Sequence, residues 1–397
     1  MRGLRLAFVL PRFPEPGFAG GAETLVAALA QRLHARGHRV ECLTTCARDH
    51  FTWENYHRPG RTEHHGMPVI RFPVDGDRDL ERYVTLDRQM QIAGGLPPAA
   101  EEEWLANSLH SEPLYEYLAA RAADLDAAVF APYLFGLSNE GPRRIPRGKA
   151  VLLPCLHDEV YARLRVIAET FRAAGAFLFN APAEMRLAER LFGIDPRRGV
   201  VVGMGFDPVA ASPARFRDTF GIAGPFALYA GRREGGKNTP LLIDYFTAWK
   251  ERHRGSDLRL VLMGSGGVAL PPEAADEVID LGYVKEQEKL DGMAACTFFC
   301  QPSYRESFSI VLMEAWLAGR PALVHRRCEV AVEHCRLAAG GLFFADYPEF
   351  EACVELLLAD PQAAQRLGAA GGEYVRREYS WQAVIARLEE GLTRIVS

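Results

Sequence analysis

Twice along this chain a short apolar run gives way to a glycine-rich loop, a helical pattern and a second apolar run. In the first instance Leu4–Leu10 precedes a Pro/Gly-rich loop, the helical stretch Ala22–Arg36 closed by Gly37-His38, and the strand Val40–Thr44. In the second, the strand Phe226–Ala230 leads to a helix over Pro240–Arg254 and a strand over Leu258–Met263, which Gly264-Ser265-Gly266-Gly267 ends. Alternation continues through Glu277–Leu281, Glu286–Ala295, Thr297–Gln301, Ile310–Ala318 and Pro321–Val324. Strand, helix, strand is the βαβ unit, whose strands run parallel. Two such series predict an α/β protein of two doubly wound, Rossmann-like parallel-sheet domains. At 397 residues the chain also exceeds what one hydrophobic core organises.

The boundary falls in 206–224, read as a linker between a first domain over 1–205 and a second over 225–379. A last helix, Trp381–Ile395 within 380–397, follows a Tyr379-Ser380 start and can pack on either domain. Ligands of doubly wound sheets sit outside the carboxyl ends of strands, so two domains with those ends facing each other would frame a cleft. The charged segment 75–103 lacks a strand pattern, although Leu86–Ile92 fits a helix. It reads either as an insertion covering the acceptor side of that cleft or as a surface excursion.

A net charge of −5 lacks the basic footprint of nucleic-acid binding. Only five of the 46 basic residues are lysines, which makes Lys237 a scarcer choice than any one arginine. The eight cysteines show no two-residue gap of a zinc or redox site, so buried reduced thiols are expected. The apolar run at Met1–Leu10 is too short to span a bilayer and no signal-cleavage pattern follows it. The expected compartment is the cytoplasm.

The densest chemistry lies in Arg305-Glu306-Ser307-Phe308-Ser309-Ile310-Val311-Leu312-Met313-Glu314. Two carboxylates stand eight positions apart, one just before a helix and one on it. Eight helical residues rise ~12 Å, roughly the reach from the sugar to the ribose of a nucleotide-sugar. The amides of Phe308, Ser309 and Ile310 would be free at the helix start, where a diphosphate can bind. This outlines a donor site.

Other loops add to it. Gly20-Gly21 lies between the first strand and first helix, where a backbone can approach a phosphate or sugar closely; a tight turn explains the pair equally well. It is not a G-x-G-x-x-G fingerprint, which argues against a nicotinamide enzyme. Arg232, Arg233 and Lys237 with three glycines follow the strand Phe226–Ala230, and such cations can neutralise a departing diphosphate. His157 follows an apolar strand, a position more often structural than catalytic. Its neighbour Asp158 does not make a relay, because adjacent residues of a strand point to opposite faces. Nucleophile-elbow, zinc-helix and Walker motifs are absent, and Asp75-Gly76-Asp77 is weak as a metal site. The basic loop Arg143–Lys149 suits an anionic acceptor or a membrane surface, with a solvated loop as the commoner outcome.

Together these pieces resemble glycosyltransferase family 4, retaining enzymes of the GT-B fold. The carrying residues are Gly20-Gly21, His157-Asp158, Gly205-Phe206-Asp207, Gly231-Arg232 with Lys237, and Glu306 with Glu314. Gly282-Tyr283-Val284, Pro302-Ser303 and Ala318-Gly319-Arg320-Pro321 support them. The resemblance implies that Glu306 contacts donor-sugar hydroxyls and Glu314 the ribose. It gives Arg232 and Lys237 the diphosphate, helped by the backbone from Ser307 to Ile310, and lets Gly21 admit closure of the first domain. Tyr283, Val284 and Lys285 would frame the base, and His157 would bind and polarise the sugar. It further implies metal-independent transfer with retention, no tightly bound cofactor, and a last helix that crosses back to the first, acceptor-side domain.

The expected reaction moves a hexose from a UDP- or GDP-sugar to a carbohydrate or lipid-linked acceptor hydroxyl, as in polysaccharide biosynthesis, with peripheral contact at the inner membrane face left open. Rival readings are a sugar-nucleotide epimerase or a phosphorylase on the same scaffold, or a non-catalytic sugar-nucleotide-binding protein. Three departures stand out: Ser307 and Ser309 where the family often has glycine, Asn238 after the lysine, and Val324–Glu329 in place of a glycine-rich loop.

Overall fold

The computed structural model describes residues 3–396 except Pro16, Gly17, Ala19, Val209 and Glu234. The chain divides into two compact units, Met1–Gly205 with Trp381–Ser397, and Phe206–Ser380. In the first unit the strands are β1 (Arg5–Val9), β2 (Arg39–Thr45), β3 (Gly60–His64) and β4 (Met67–Phe72). They continue with β5 (Ala127–Phe130), β6 (Ala150–Leu152), β7 (Ala176–Phe179) and β8 (Gly199–Val201). The second unit holds β9 (Phe226–Ala230), β10 (Arg259–Met263), β11 (Val278–Asp280), β12 (Phe298–Gln301), β13 (Ala322–His325) and β14 (Gly341–Phe344).

The first sheet has the order β3-β4-β2-β1-β5-β6-β7-β8 and the second β11-β10-β9-β12-β13-β14. All pairings are parallel except the β3–β4 hairpin. In each sheet the chain winds outward on one side and returns to the other side of its starting strand. The order reverses between β1 and β5, and again between β9 and β12. Loops leaving the carboxyl ends at such a reversal form the crevice of a doubly wound sheet. Continuous apolar runs such as Ala127–Phe130, Ala176–Phe179 and Phe226–Ala230 are buried along their whole length, as central parallel strands must be.

The segment 206–224 is not a plain linker. It contains the helix Pro213–Phe220, which buries Phe216 to 1% exposure against the second unit's own core. Arg215 Nη2 donates to Asp291 Oδ1 at 2.6 Å, and the Ser212 amide donates to the same oxygen at 2.8 Å. The last helix, Trp381–Val396, belongs to the first unit. Arg394 donates to the Gly199 carbonyl and Arg387 to that of Val202, each at 2.9 Å. Gly391 lets it lie close, since a Cβ there would sit 2.8 Å from a Val200 methyl.

Residues 75–103 are largely helical: Leu80–Ala93 and Pro98–Ala106 lie against each other, joined by an Arg82–Glu103 ion pair at 2.6 Å. Leu86 and Met90 are buried, so these helices are part of the first unit's core. The eight cysteines are free thiols, seven of them buried. Among the described residues no helix is long and apolar enough to cross a membrane.

Candidate donor site

The reversal between β9 and β12 is where the second unit gathers its charges. Gly231 follows β9 with φ +155°, a backbone open chiefly to glycine, and its amide donates to the Met263 carbonyl at 3.0 Å. Gly264 after β10 approaches so closely that a Cβ would stand 1.9 Å from the Gly231 oxygen. Arg232 comes next, its carbonyl held by the Tyr229 hydroxyl at 2.8 Å. Arg233 does not join the site: its guanidinium pairs with Asp280 and is 3% exposed. That leaves Arg232 and Lys237 as the candidate site cations of this loop. Ala19 and Glu234, which fall in the two glycine-bearing loops, lie outside the described residues.

Lys237 reaches the loop that leaves β12. Its Nζ lies 2.7 Å from Glu306 Oε1, although 69 positions separate the two residues. The loops also meet through their backbones: the Tyr304 amide donates to the Gly236 carbonyl at 3.4 Å, and Asn238 Nδ2 to the Pro302 carbonyl at 3.4 Å. Asn238 and Ser309 precede the helices Thr239–Arg252 and Ile310–Leu317 with φ +55° and +73°. Both departures from glycine thus stand in the left-handed region, which asparagine tolerates better than serine.

Glu306 itself lies outside the helix. Only Ile310 to Glu314 contributes helical rise, ~6 Å of the expected reach. Glu314 is buried at 7% exposure; its Oε1 accepts from Lys289 at 2.9 Å, while Oε2 has no hydrogen-bond partner among the described residues. Burial pushes the Glu314 carboxyl up, with Lys289 opposing. Burial works to lower Lys289, but Glu314 and Glu286 together outweigh it and hold the ammonium high.

At the helix start the amides of Phe308, Ser309 and Ile310 donate to no acceptor among the described residues. The Phe308 ring is not a ligand group. It is 2% exposed among Phe206, His334 and Tyr379, with centroids 6.2, 5.5 and 5.0 Å away. Ser307 lies partly exposed between Glu306 and that ring. Beside the β10 loop, Gly282 accepts from the Gly264 amide at 2.7 Å. Tyr283 follows at 63% exposure, then Val284 and the exposed Lys285.

In the first unit, Gly20 is the N-cap of the helix Gly21–Ala35 and donates its amide to Glu23. Glu23 is paired with Arg12 at 2.7 Å, both side chains below 10% exposure. His157, after β6, has Nδ1 3.6 Å from Glu159 Oε1, and that oxygen accepts the Tyr133 hydroxyl at 2.8 Å. Asp158 pairs with Arg163 and not with His157. The loop is held from below by the buried Glu184, whose Oε1 accepts the Leu156 amide at 2.6 Å. Burial pushes the Glu184 carboxyl up to about 8, with the amides of Asn180, Leu156 and Ala181 opposing.

Asp75 caps the helix Glu112–Arg121 by accepting from the Glu112 amide at 3.0 Å, a structural role. The basic loop is tied down by neighbouring segments. Arg144 pairs with Glu140 at 2.9 Å, and Lys149 donates to the Ala122 carbonyl at 2.8 Å.

Sequence reasoning missed Lys289, Gln301 and Glu184. The scarcity of lysine that singles out Lys237 applies equally to Lys289. Gln301 is a lone amide ending the apolar strand Phe298–Gln301, 3% exposed and hydrogen-bonded to Glu306 at 3.0 Å. Nothing in the sequence marks Glu184.

Residues 215–374 match the family model for glycosyl transferases group 1, and residues 20–205 match that for a glycosyl transferase 4-like domain. A D-inositol 3-phosphate glycosyltransferase of Kineococcus radiotolerans is 25% identical over 96% of this chain and 92% of its own length. Among solved structures, sucrose-phosphate synthase from Thermosynechococcus elongatus superposes with TM-score 0.74 at 18% identity, covering 99% of both chains. Anabaena HepE, solved in complex with UDP and glucose, gives TM-score 0.69 at 17% identity over 98% of this chain and 99% of its own. The shared architecture is GT-B.

Proposed function

Since the chain belongs to the family 4 glycosyltransferases of group 1, we propose that it moves a hexose from a UDP- or GDP-sugar to an acceptor hydroxyl, with retention and without a metal ion. The observation that carries this reading is the meeting of Lys237 and Glu306 at the strand-order reversal, 2.7 Å apart. A ligand offering both an anion and hydroxyls can engage the ammonium through its phosphates and the carboxylate through its sugar. The lone Oε2 of buried Glu314 supports the ribose assignment, because a buried acceptor without a donor is costly and a ribose hydroxyl would supply one.

In the transfer, the acceptor hydroxyl oxygen bonds to the anomeric carbon as the bond from that carbon to the diphosphate oxygen breaks, negative charge grows on the departing phosphate, and the hydroxyl proton leaves with it. Arg232, Lys237 and the amides of Phe308, Ser309 and Ile310 stabilise that charge, the part a divalent cation would otherwise play. Ser307 belongs to the same phosphate-side backbone. Tyr283, Val284 and Lys285 frame the base. The first unit's contribution is assigned to the Gly20-Gly21 turn and to His157, which binds and polarises the sugar. The acceptor is a carbohydrate or lipid-linked saccharide, as in glycan assembly on the cytoplasmic side of a membrane.

Thermal shifts with uridine, guanosine and thymidine diphosphate sugars identify the donor, because ligand binding to the folded state raises its melting temperature. With that donor, Lys237→Ala and Glu306→Ala should each lower turnover by about a hundredfold or more while the protein stays folded. Wild-type turnover in both variants, or donor conversion that needs no acceptor, would refute the reading.

A further inference from the structure

The strand β12 is buried throughout, yet it ends in a side chain with an amide. A buried amide must find both donors and acceptors. Gln301 does so at close range: Nε2 donates to Glu306 Oε1 at 3.0 Å, and Oε1 accepts the Ser309 hydroxyl at 2.8 Å. The orientation is forced. Turning the amide over would set its oxygen against the Glu306 carboxylate and leave a carboxamide hydrogen aimed at the Ser309 oxygen. The Glu306 carboxylate, which only accepts, therefore decides which way Gln301 faces; the Ser309 hydroxyl occupies the amide's other end and holds it in place, so that Gln301 meets the same Glu306 oxygen as Lys237.

This arrangement is held against a cost. Ser309 is 4% exposed and sits at φ +73°, ψ +73°, a left-handed conformation that disfavours any residue with a Cβ. Glycine would occupy the position without that strain but would lack the hydroxyl. Strain retained beside charged groups at a strand-order reversal is the kind that serves a site.

We propose that Gln301, held in place by Ser309, is a positioning residue that makes Glu306 selective among donor hexoses. Resting on the donor reading above, it fixes the direction in which the carboxylate accepts from a sugar hydroxyl. Epimers that present that hydroxyl elsewhere bind less well. The diphosphate is held by Arg232, Lys237 and backbone amides rather than by the Gln301 or Ser309 side chains, so the effect falls chiefly on the sugar.

The test compares affinities by titration calorimetry for UDP, UDP-glucose and UDP-galactose, or for GDP, GDP-mannose and GDP-glucose where guanosine is the base bound. In Ser309→Gly, which keeps the backbone amide, the melting temperature holds or rises and affinity for the bare diphosphate changes less than affinity for the donors. The wild-type preference between the two epimeric donors shrinks by about tenfold, the worth of one hydrogen bond to a charged group. Gln301→Met, of similar volume without the amide, shrinks it at least as far and lowers kcat/KM for the preferred donor. An unchanged epimer ratio in Ser309→Gly overturns the proposal even if Gln301→Met fails to fold. Equal loss of affinity for diphosphate and donor also overturns it, since that marks a merely structural role. Wild-type protein that binds none of these nucleotides refutes the donor reading itself and this inference with it.

Discussion

Each unit keeps carboxylates under the loops at its strand ends, but the two satisfy them differently. In the first, Glu23 is closed by Arg12 and the Gly20 amide, and Glu184 by the amides of Leu156, Asn180 and Ala181. In the second, Glu306 and Glu314 face Lys237 and Lys289, and one Glu314 oxygen has no partner among the described residues. Backbone amides and a buried guanidinium cannot leave, whereas a lysine on a flexible stem can turn toward an incoming anion. The same residue type thus braces loops in one sheet and, on the reading proposed above, awaits a ligand in the other.

The largest expected effect separates these roles. Glu23→Leu strands the Arg12 guanidinium in a nearly dry position, and breaking such a pair costs about 3–5 kcal/mol. Urea unfolding should register that loss directly. Glu306→Leu, whose partner Lys237 is 30% exposed but which also strips the buried Gln301 amide of an acceptor, should cost less, about 1–3 kcal/mol, while abolishing most turnover. If the two variants lose stability equally, the division between bracing and binding carboxylates fails.

A subtler effect follows from the Lys237–Glu306 contact. Before a diphosphate engages Lys237, the ammonium must give up or share Glu306. Glu306→Gln removes that competitor, so the variant should bind UDP or GDP several-fold more tightly, at roughly the worth of one partly exposed ion pair. It should at the same time turn over donor more slowly. Weaker diphosphate binding in Glu306→Gln, measured by calorimetry, would mean that the pair orders Lys237 for its ligand and does not compete with it.

Much of this was legible beforehand because central parallel strands and amphipathic helices carry strong local patterns. The strand Phe226–Ala230 and the helix Glu286–Ala295 coincide with their expected limits. Loop positions put Lys237 and Glu306 at strand ends, but their direct contact shows only in the fold. Other features depend on tertiary contacts. β3 is exposed along its whole length and owes its existence to pairing with β4. The helix Pro361–Glu378 carries three glycines that disguise it, two of them set where a Cβ would strike Trp316. The removal of Arg233 to Asp280 and the hold of Ser309 on Gln301 involve partners 47 and 8 residues away, with no periodicity to announce them.

The smallest effect tests whether the units also differ in their response to pH. Glu184 in the first unit has its carboxyl raised from an ordinary 4.5 to about 8 by burial, so the folded state holds a proton that the unfolded chain releases. Its contribution is fully present below pH 4.5 and fades as pH rises through 8. His334 in the second unit runs the other way. Burial lowers it from 6.5 to about 3, so its contribution is present above 6.5 and is lost as pH falls toward 3. Hydrogen exchange of the intact protein should therefore find peptides near Leu156 and Asn180 less protected at pH 9 than at pH 6. Peptides around Phe308 and Tyr374 should be less protected at pH 4.5 than at pH 7, with rates corrected for intrinsic exchange. Glu184→Gln should flatten the first trend and His334→Gln the second, each leaving the other in place. Trends that move together in both variants would mean that one global transition governs the two sheets and that their contrast is confined to ligand chemistry.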